Sequence, residues 1–303
     1  MISTDAQPFP DDSEKHGRFL REIAAFEELC LAVKNSRHPG TDIRRALDRV
    51  KASLGANHPF APVLDQASDL FIKARQALTS ERGARFKRAP LERRFTFRTG
   101  NKVLILAGST DAQSGTRLAA YEAPLQDALS TYKGYLITGG TGAGVCGLAA
   151  RCAAHANASG KAHVELVGYL PAHAEASFDF PHIVRTVGSD FSLLEPLQMW
   201  NDLFVSGIPP SAVTLLCLGG GVVSAQELAL AWALGARVAA TDGDELAPKR
   251  FAALVANAGP NDGRGIILPD DPASLREFVT FIQPSDVLRS GSNSERAEEH
   301  DYE

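Results

Sequence analysis

Three glycine-rich stretches carry the residues most suited to chemistry. They are Ala107-Gly108-Ser109-Thr110, Thr138-Gly139-Gly140-Thr141-Gly142-Ala143-Gly144-Val145-Cys146-Gly147, and Leu218-Gly219-Gly220-Gly221-Val222-Val223-Ser224-Ala225-Gln226-Glu227. Each follows a short apolar run, and the second and third lead at once into helix-forming sequence. Glycines let a backbone approach a phosphate closely, and a following helix start supplies N–H donors and partial positive charge. The expected chemistry is therefore the holding of a nucleotide's phosphates. The candidate ligand residues are Gly108, Ser109, Thr110, Thr138, Gly139, Gly140, Thr141, Gly142, Gly144, Val145, Gly219, Gly220, Gly221 and Ser224.

Two carboxylates add to that set. Glu227 is a candidate ligand contact, and the catalytic residue if the chain is an enzyme. It also closes Ser224-Ala225-Gln226-Glu227, an S-x-x-E capping box in which both side chains satisfy their own helix start. Asp242, in Asp242-Gly243-Asp244 after a strand, fits a ribose hydroxyl contact and a turn into a helix cap equally well. Thr110 to Thr116 is long for a strand-to-helix connection, and its hydroxyls could close over a ligand.

Other chemistries lack their residues. Gly142 to Gly147 matches the G-x-G-x-x-G dinucleotide spacing, but it follows a second strand, and Glu165 falls inside a strand. No separate substrate domain accompanies it. His155, His163, His173 and His182 form no H-E-x-x-H pair, so no metal site is expected. A G-x-S-x-G elbow and a P-loop are both absent.

The elements that must position these residues follow from hydrophobic patterning. Strands are expected at 103–107, 135–138, 163–168, 182–186, 213–218, 237–240 and 266–268. Helices are expected near 123–131, 145–158, 191–206, 224–234, 246–258 and 272–281. This alternation defines an α/β fold: a Rossmann-like parallel sheet with helices on both faces. A small helical module at 14–81 precedes it, with helices at 14–36, from a Thr41 cap to Gly55, and at 60–80. Residues 82–101 form a basic linker, with Phe95 and Phe97 alternating as in an edge strand. Residues 1–13 and the acidic tail 284–303 read as disordered, which leaves 102–283 as the nucleotide-binding domain.

Composition narrows the remaining classes. Across 303 residues, 44% are apolar and 22% charged, and the net charge of −5 argues against nucleic acid as a partner. No uncharged apolar run approaches the ~20 residues that span a bilayer, so no membrane insertion is expected. Cys30, Cys146, Cys152 and Cys217 lack C-x-x-C spacing and read as reduced thiols of a cytoplasmic protein.

Together, Thr138-Gly139-Gly140-Thr141-Gly142-Ala143-Gly144-Val145 and, some eighty residues later, Gly220-Gly221-x-x-Ser224-x-x-Glu227 resemble the SLOG superfamily. That group includes the Lonely Guy phosphoribohydrolases, DNA-processing protein A and the N-terminal domains of melastatin-type TRP channels, whose TGG…GV turn is the nearer match. The resemblance covers about three-fifths of the chain, from Lys102 to Phe281. It implies a sensor or signalling protein for ADP-ribose, an NAD-derived compound or a cyclic nucleotide, with no further cofactor required. It also implies coupling through the N-terminal helices to an effector or a second copy. The alternative is a Lonely Guy-like nucleoside-monophosphate phosphoribohydrolase using Glu227. The helix that carries that family's arginine reads Leu197-Gln198-Met199-Trp200-Asn201-Asp202-Leu203 here, Leu218 or Gly219 replaces its proline, and Val223 replaces a glycine. A third possibility is a scaffold with an empty ancestral pocket.

Overall fold

A computed structural model describes residues 12–54, 64–65, 68, 71–72, 91–110, 115–188, 190–258 and 263–280. The expectations for 1–11, 82–90, 111–114 and 281–303, and most of the third helix, lie outside the described residues. Seven parallel strands form one sheet: β1 (Lys102–Gly108), β2 (Lys133–Thr138), β3 (His163–Leu170), β4 (His182–Arg185), β5 (Val213–Leu218), β6 (Arg237–Thr241) and β7 (Gly265–Leu268). Their spatial order is β4-β3-β2-β1-β5-β6-β7. Eight α-helices are described in full: α1 (Asp12–Asn35), α2 (Pro39–Leu54), α3 (Gly115–Leu129), α4 (Gly144–Ala158), α5 (Leu194–Val205), α6 (Val222–Leu234), α7 (Leu246–Asn257) and α8 (Pro272–Thr280). No helix among the described residues is long and apolar enough to cross a membrane.

Strand β1 explains why the sheet is covered on both sides. Val103, Ile105 and Ala107 join one core with α1, α2, α5, α6 and α7, while Leu104 and Leu106 join another with α3, α4 and α8. The two-residue period sends successive side chains to opposite faces, so a strand buried on both faces must be apolar throughout. Ile105 lies level with Ile137 of β2 and Leu215 of β5, which aligns the carboxyl ends of the three central strands.

Helix α6 is apolar on every side because it is wrapped on every side. Leu228 to Leu234 are all buried. Its outer face is covered by α1, whose Phe26, Leu29, Cys30 and Val33 belong to the same core. Lys34 Nζ lies 3.9 Å from the Trp232 ring centroid, and Glu27 of α1 ion-pairs with Arg250 of α7. Gly235, at φ +98°, ends α6 in the left-handed cap that favours glycine. All four cysteines are free and buried.

Three local expectations need correction. Helix α1 already includes Asp12 and Ser13, which were expected to be disordered. Helix α2 starts at Pro39, before Thr41, since proline fits a first helical turn. Residues 91–98 are extended but form no strand. Their backbone bonds to the side chains of α5: the N–H groups of Arg94 and Phe95 both donate to Asp202, at 3.1 Å, and that of Leu91 to Asn201 Oδ1 at 3.2 Å. Gln198 Nε2 donates to the Glu92 carbonyl at 2.9 Å. The Phe95–Phe97 alternation is real, because both rings pack against Tyr135. It reflects burial, while the hydrogen-bond partner is a helix.

Candidate functional site

The chain turns away from β1 towards β2 on one side and from β5 towards β6 on the other. Such a switch point opens a crevice at the carboxyl ends of the strands, where open α/β sheets bind ligands. A cavity of about 390 Å³ occupies it. It is lined by Leu106 to Thr110 after β1, Thr138 and Gly139 after β2, Val145 and Cys146 on α4, and Gly221 to Ser224 with Glu227 on α6. Phe191, ahead of α5, completes the wall.

The glycine turns interlock to build this floor. Gly108 has φ +147°, and a side chain there would collide with the backbone of Leu218, so β1 and β5 end in direct contact. Gly144 has φ +53° and lies against the backbone of Ser109 and Thr110. The Ser109 carbonyl accepts the Val145 N–H at 3.0 Å, and the Ser109 N–H donates to the Leu218 carbonyl at 3.3 Å.

Two helices present their starts to the cavity without side-chain caps. Ala143 before α4 and Gly221 before α6 make no capping bond through a side chain. Among the described residues, the N–H groups of Val222, Val223 and Ser224 have no hydrogen-bond partner, and all three residues line the cavity. Unsatisfied N–H groups at a helix start, with the partial positive charge there, have the chemistry to hold an anion. No lysine or arginine lines the cavity among the described residues.

Ser224 and Glu227 do not form the expected capping box. Ser224 is the third residue of α6, and its buried hydroxyl donates to the Gly108 carbonyl at 3.4 Å. Glu227, one turn further on, has no hydrogen-bond or ion-pair partner among the described residues. Burial and, secondarily, the Glu195 charge push its carboxyl up to about 7. A second chamber of about 60 Å³ lies behind Phe191 and is lined by both Glu195 and Glu227.

Nine of the sequence candidates line the main cavity: Gly108, Ser109, Thr110, Thr138, Gly139, Val145, Gly221, Ser224 and Glu227. The other candidates lie elsewhere. Gly140, at φ +79°, packs on Gly168, and its carbonyl accepts the Ser177 N–H at 3.1 Å. Thr141 buries its hydroxyl outside the lining, and Gly142 sits beside Ser177. Gly144 supports Ser109 from below. Gly219 and Gly220 face the Glu245 carboxylate, which accepts the Gly220 N–H. Asp242 is exposed, and its Oδ1 accepts the Gly243 N–H at 2.9 Å, the turn reading of that residue.

Sequence reasoning missed Phe191 and Glu195. Phe191 is 38% exposed and lies over Gly139, where an added Cβ would be 3.2 Å from the ring. An exposed aromatic ring of this kind has a flat face on which a base can stack. Glu195 was legible as the end of a second S-x-x-E, Ser192 to Glu195. The Ser192 N–H donates to Glu195 Oε2 at 2.8 Å, and the Leu194 N–H to Ser192 Oγ at 3.2 Å. Thr186 donates to the other carboxylate oxygen. Burial still raises the Glu195 carboxyl above its ordinary value. Among the described residues, no group of three or more His, Cys, Asp and Glu is placed to hold a metal ion.

No protein-family model matches the chain, and no curated protein does. Solved structures do match. The molybdenum cofactor carrier protein of Chlamydomonas reinhardtii is similar at 22% identity over 60% of this chain and 98% of its own, with a TM-score of 0.44. The molybdenum cofactor binding protein of the phototrophic bacterium Rippkaea orientalis is similar at 21% identity over 61% of this chain and 98% of its own, with a TM-score of 0.42.

Proposed function

We propose that this chain binds a phosphate-bearing nucleotide derivative in the switch-point cavity. The observation that carries this reading is the set of unpartnered N–H groups of Val222, Val223 and Ser224 at the start of α6, facing a 390 Å³ cavity. That volume suits a small ligand. In this reading the phosphate caps α6 beside the start of α4, the base stacks on Phe191, and Glu227 bonds a ribose hydroxyl. The TGG…GV resemblance favours ADP-ribose, an NAD-derived compound or a cyclic nucleotide. Of the N-terminal helices α1 packs on α6 and α2 on α1, and together they would pass occupancy on to an effector or a second copy.

Calorimetry with ADP-ribose, cyclic ADP-ribose, NAD and AMP tests this, with molybdenum cofactor, the cargo named for the structural neighbours, as a further arm. The informative variant is Gly221→Asp. Nothing lies within 4 Å of a Cβ at Gly221, so the side chain has room, at a backbone φ of −102° and ψ of −144° that strains an L residue. Aspartate is also a good N-cap, which offsets that strain while a carboxylate takes the phosphate's place, and the melting temperature of the variant reports whether the fold holds. Binding lost only in Gly221→Asp supports the reading; no binding of any nucleotide sinks it.

One observation favours a second reading, an N-glycosidic phosphoribohydrolase. Glu227 has no partner among the described residues, lines the cavity, and its carboxyl is pushed up by burial to about 7, as suits a general acid. Against it, the α5 positions expected to supply an arginine hold Gln198, Asn201 and Asp202, all committed to residues 91–95. Release of free base from AMP by the wild type, abolished in Glu227→Gln, would replace the sensor reading with the enzyme.

A further inference from the structure

We propose that the small chamber behind Phe191 selects the ligand's ring by one substituent: it takes an NH2 group, amine or amide, and refuses an oxo or carboxylate group in its place. The inference deepens the binding reading above and rests on it. The chamber, of about 60 Å³, shares Thr138, Gly139, Phe191, Val223 and Glu227 with the main cavity, so the two spaces adjoin beside the Phe191 ring. A space of about 10–15 Å³ already takes one water, so the chamber has room for a small substituent of a ring stacked on Phe191.

The polar side chains that the chamber offers are acceptors. No lysine, arginine or histidine lines it among the described residues. The Tyr169 hydroxyl is committed to Asp202 Oδ2 at 3.0 Å, and Thr138 Oγ1 lies 3.3 Å from Cys146 Sγ. Two carboxyls remain. Glu195 is 4% exposed and is held as an acceptor by the Ser192 N–H and hydroxyl on one oxygen and by Thr186 on the other. Glu227 has no partner among the described residues and lines both spaces, so one oxygen is available to the ribose and the other to the chamber. An ionised carboxylate accepts and does not donate. An NH2 group entering here donates to both carboxylates. An oxo group meets only lone pairs, and a carboxylate meets like charge with no cation to offset it.

The discrimination depends on the Glu227 proton, because a protonated carboxyl donates and gives an oxo group a partner. The other titratable side chains around Glu227 are Glu195 on α5, Cys146 on α4, Tyr169 on β3 and Cys217 on β5. Burial raises the Tyr169 phenol and the Cys217 thiol well above their ordinary values, so neither titrates near neutrality.

Calorimetry with two ligand pairs tests this: AMP against IMP, and NAD against its nicotinic acid analogue. Separation of the first pair makes a purine amino group the source of the NH2, and separation of the second makes it a nicotinamide carboxamide. At pH 8 the NH2-bearing member of at least one pair should bind the wild type about tenfold more tightly. That ratio should fall at pH 6, below the value of about 7 to which burial pushes the Glu227 carboxyl. Glu195→Gln should lower the ratio at pH 8, and Glu227→Gln should make it the same at both pH values. Should Glu195→Gln fold poorly, Glu227→Gln carries the test, since it alters a group the fold does not bond. Equal affinities within both pairs, a wild-type ratio that does not change with pH, or a pH dependence that survives in Glu227→Gln overturns this inference alone. Silence of all four ligands also overturns it, and silence of ADP-ribose and cyclic ADP-ribose as well overturns the binding reading with it.

Discussion

Ser192–Glu195 and Ser224–Glu227 are the same pattern, serine and glutamate three residues apart near the start of a helix, and both glutamates border one small chamber. On α5 the serine precedes the helix, so Glu195 reaches back to the Ser192 N–H and closes a capping box. On α6 the cap position belongs to Gly221, and Ser224 is already the third helical residue. Glu227 then lies six residues past the cap, about 9 Å along the axis, too far to reach back. Among the described residues its carboxyl is left without a partner, and so are the first N–H groups of α6. One serine and one glutamate thus finish a helix in the first case, and leave a helix start uncapped in the second.

The sharpest way to break this comparison is Glu195→Ala. It strips acceptors from the Ser192 N–H and from the Ser192 and Thr186 hydroxyls, and should cost about 3 kcal/mol in urea denaturation. Glu227→Gln should act in the opposite direction at high pH. A folded pKa of about 7 lies above the ordinary carboxylate value, so between those two pH values the folded chain holds more protons than the unfolded chain. Wild-type stability should therefore fall as pH rises from about 4.5 through 7. Glu227→Gln should remove that slope and be more stable by roughly 3 kcal/mol at pH 8, the gap closing towards pH 4.5. A parallel pH profile in the two proteins would contradict the burial assigned to Glu227.

Smaller effects sharpen the same contrast. Ser192→Ala removes a cap and should cost about 1 kcal/mol, whereas Ser224→Ala should stay within about 0.5 kcal/mol. Glu195→Gln keeps the capping geometry but removes the neighbouring charge. A carboxyl-detected NMR titration should then find the Glu227 pKa lowered, yet still above the ordinary value, because burial is the larger cause.

The sheet was largely legible because doubly buried strands read as short apolar runs between turns, as Val103 to Ala107 and Val213 to Leu218 do. The glycine turns were legible because positive φ and close approach leave few alternatives to glycine, as at Gly108 and Gly144. What was not legible depended on register and on distant partners. Ser224–Glu227 looks like a cap until the helix start is fixed at Val222, and Phe95–Phe97 looks like a strand until Asp202 takes the Phe95 N–H and Ser206 the Phe97 N–H. Gly220 looks like a phosphate contact until Glu245, 25 residues later, fills its turn. Phe191 carries no motif at all, and only the fold brings it over Gly139.

The central claim is that the uncapped start of α6 awaits a ligand anion. Calorimetry of the wild type and Gly221→Asp against the nucleotide panel tests it most directly. At least one phosphate-bearing nucleotide should bind the wild type, and that binding should weaken at least a hundredfold in a Gly221→Asp protein that still unfolds cooperatively. Equal affinity in the two proteins would contradict it.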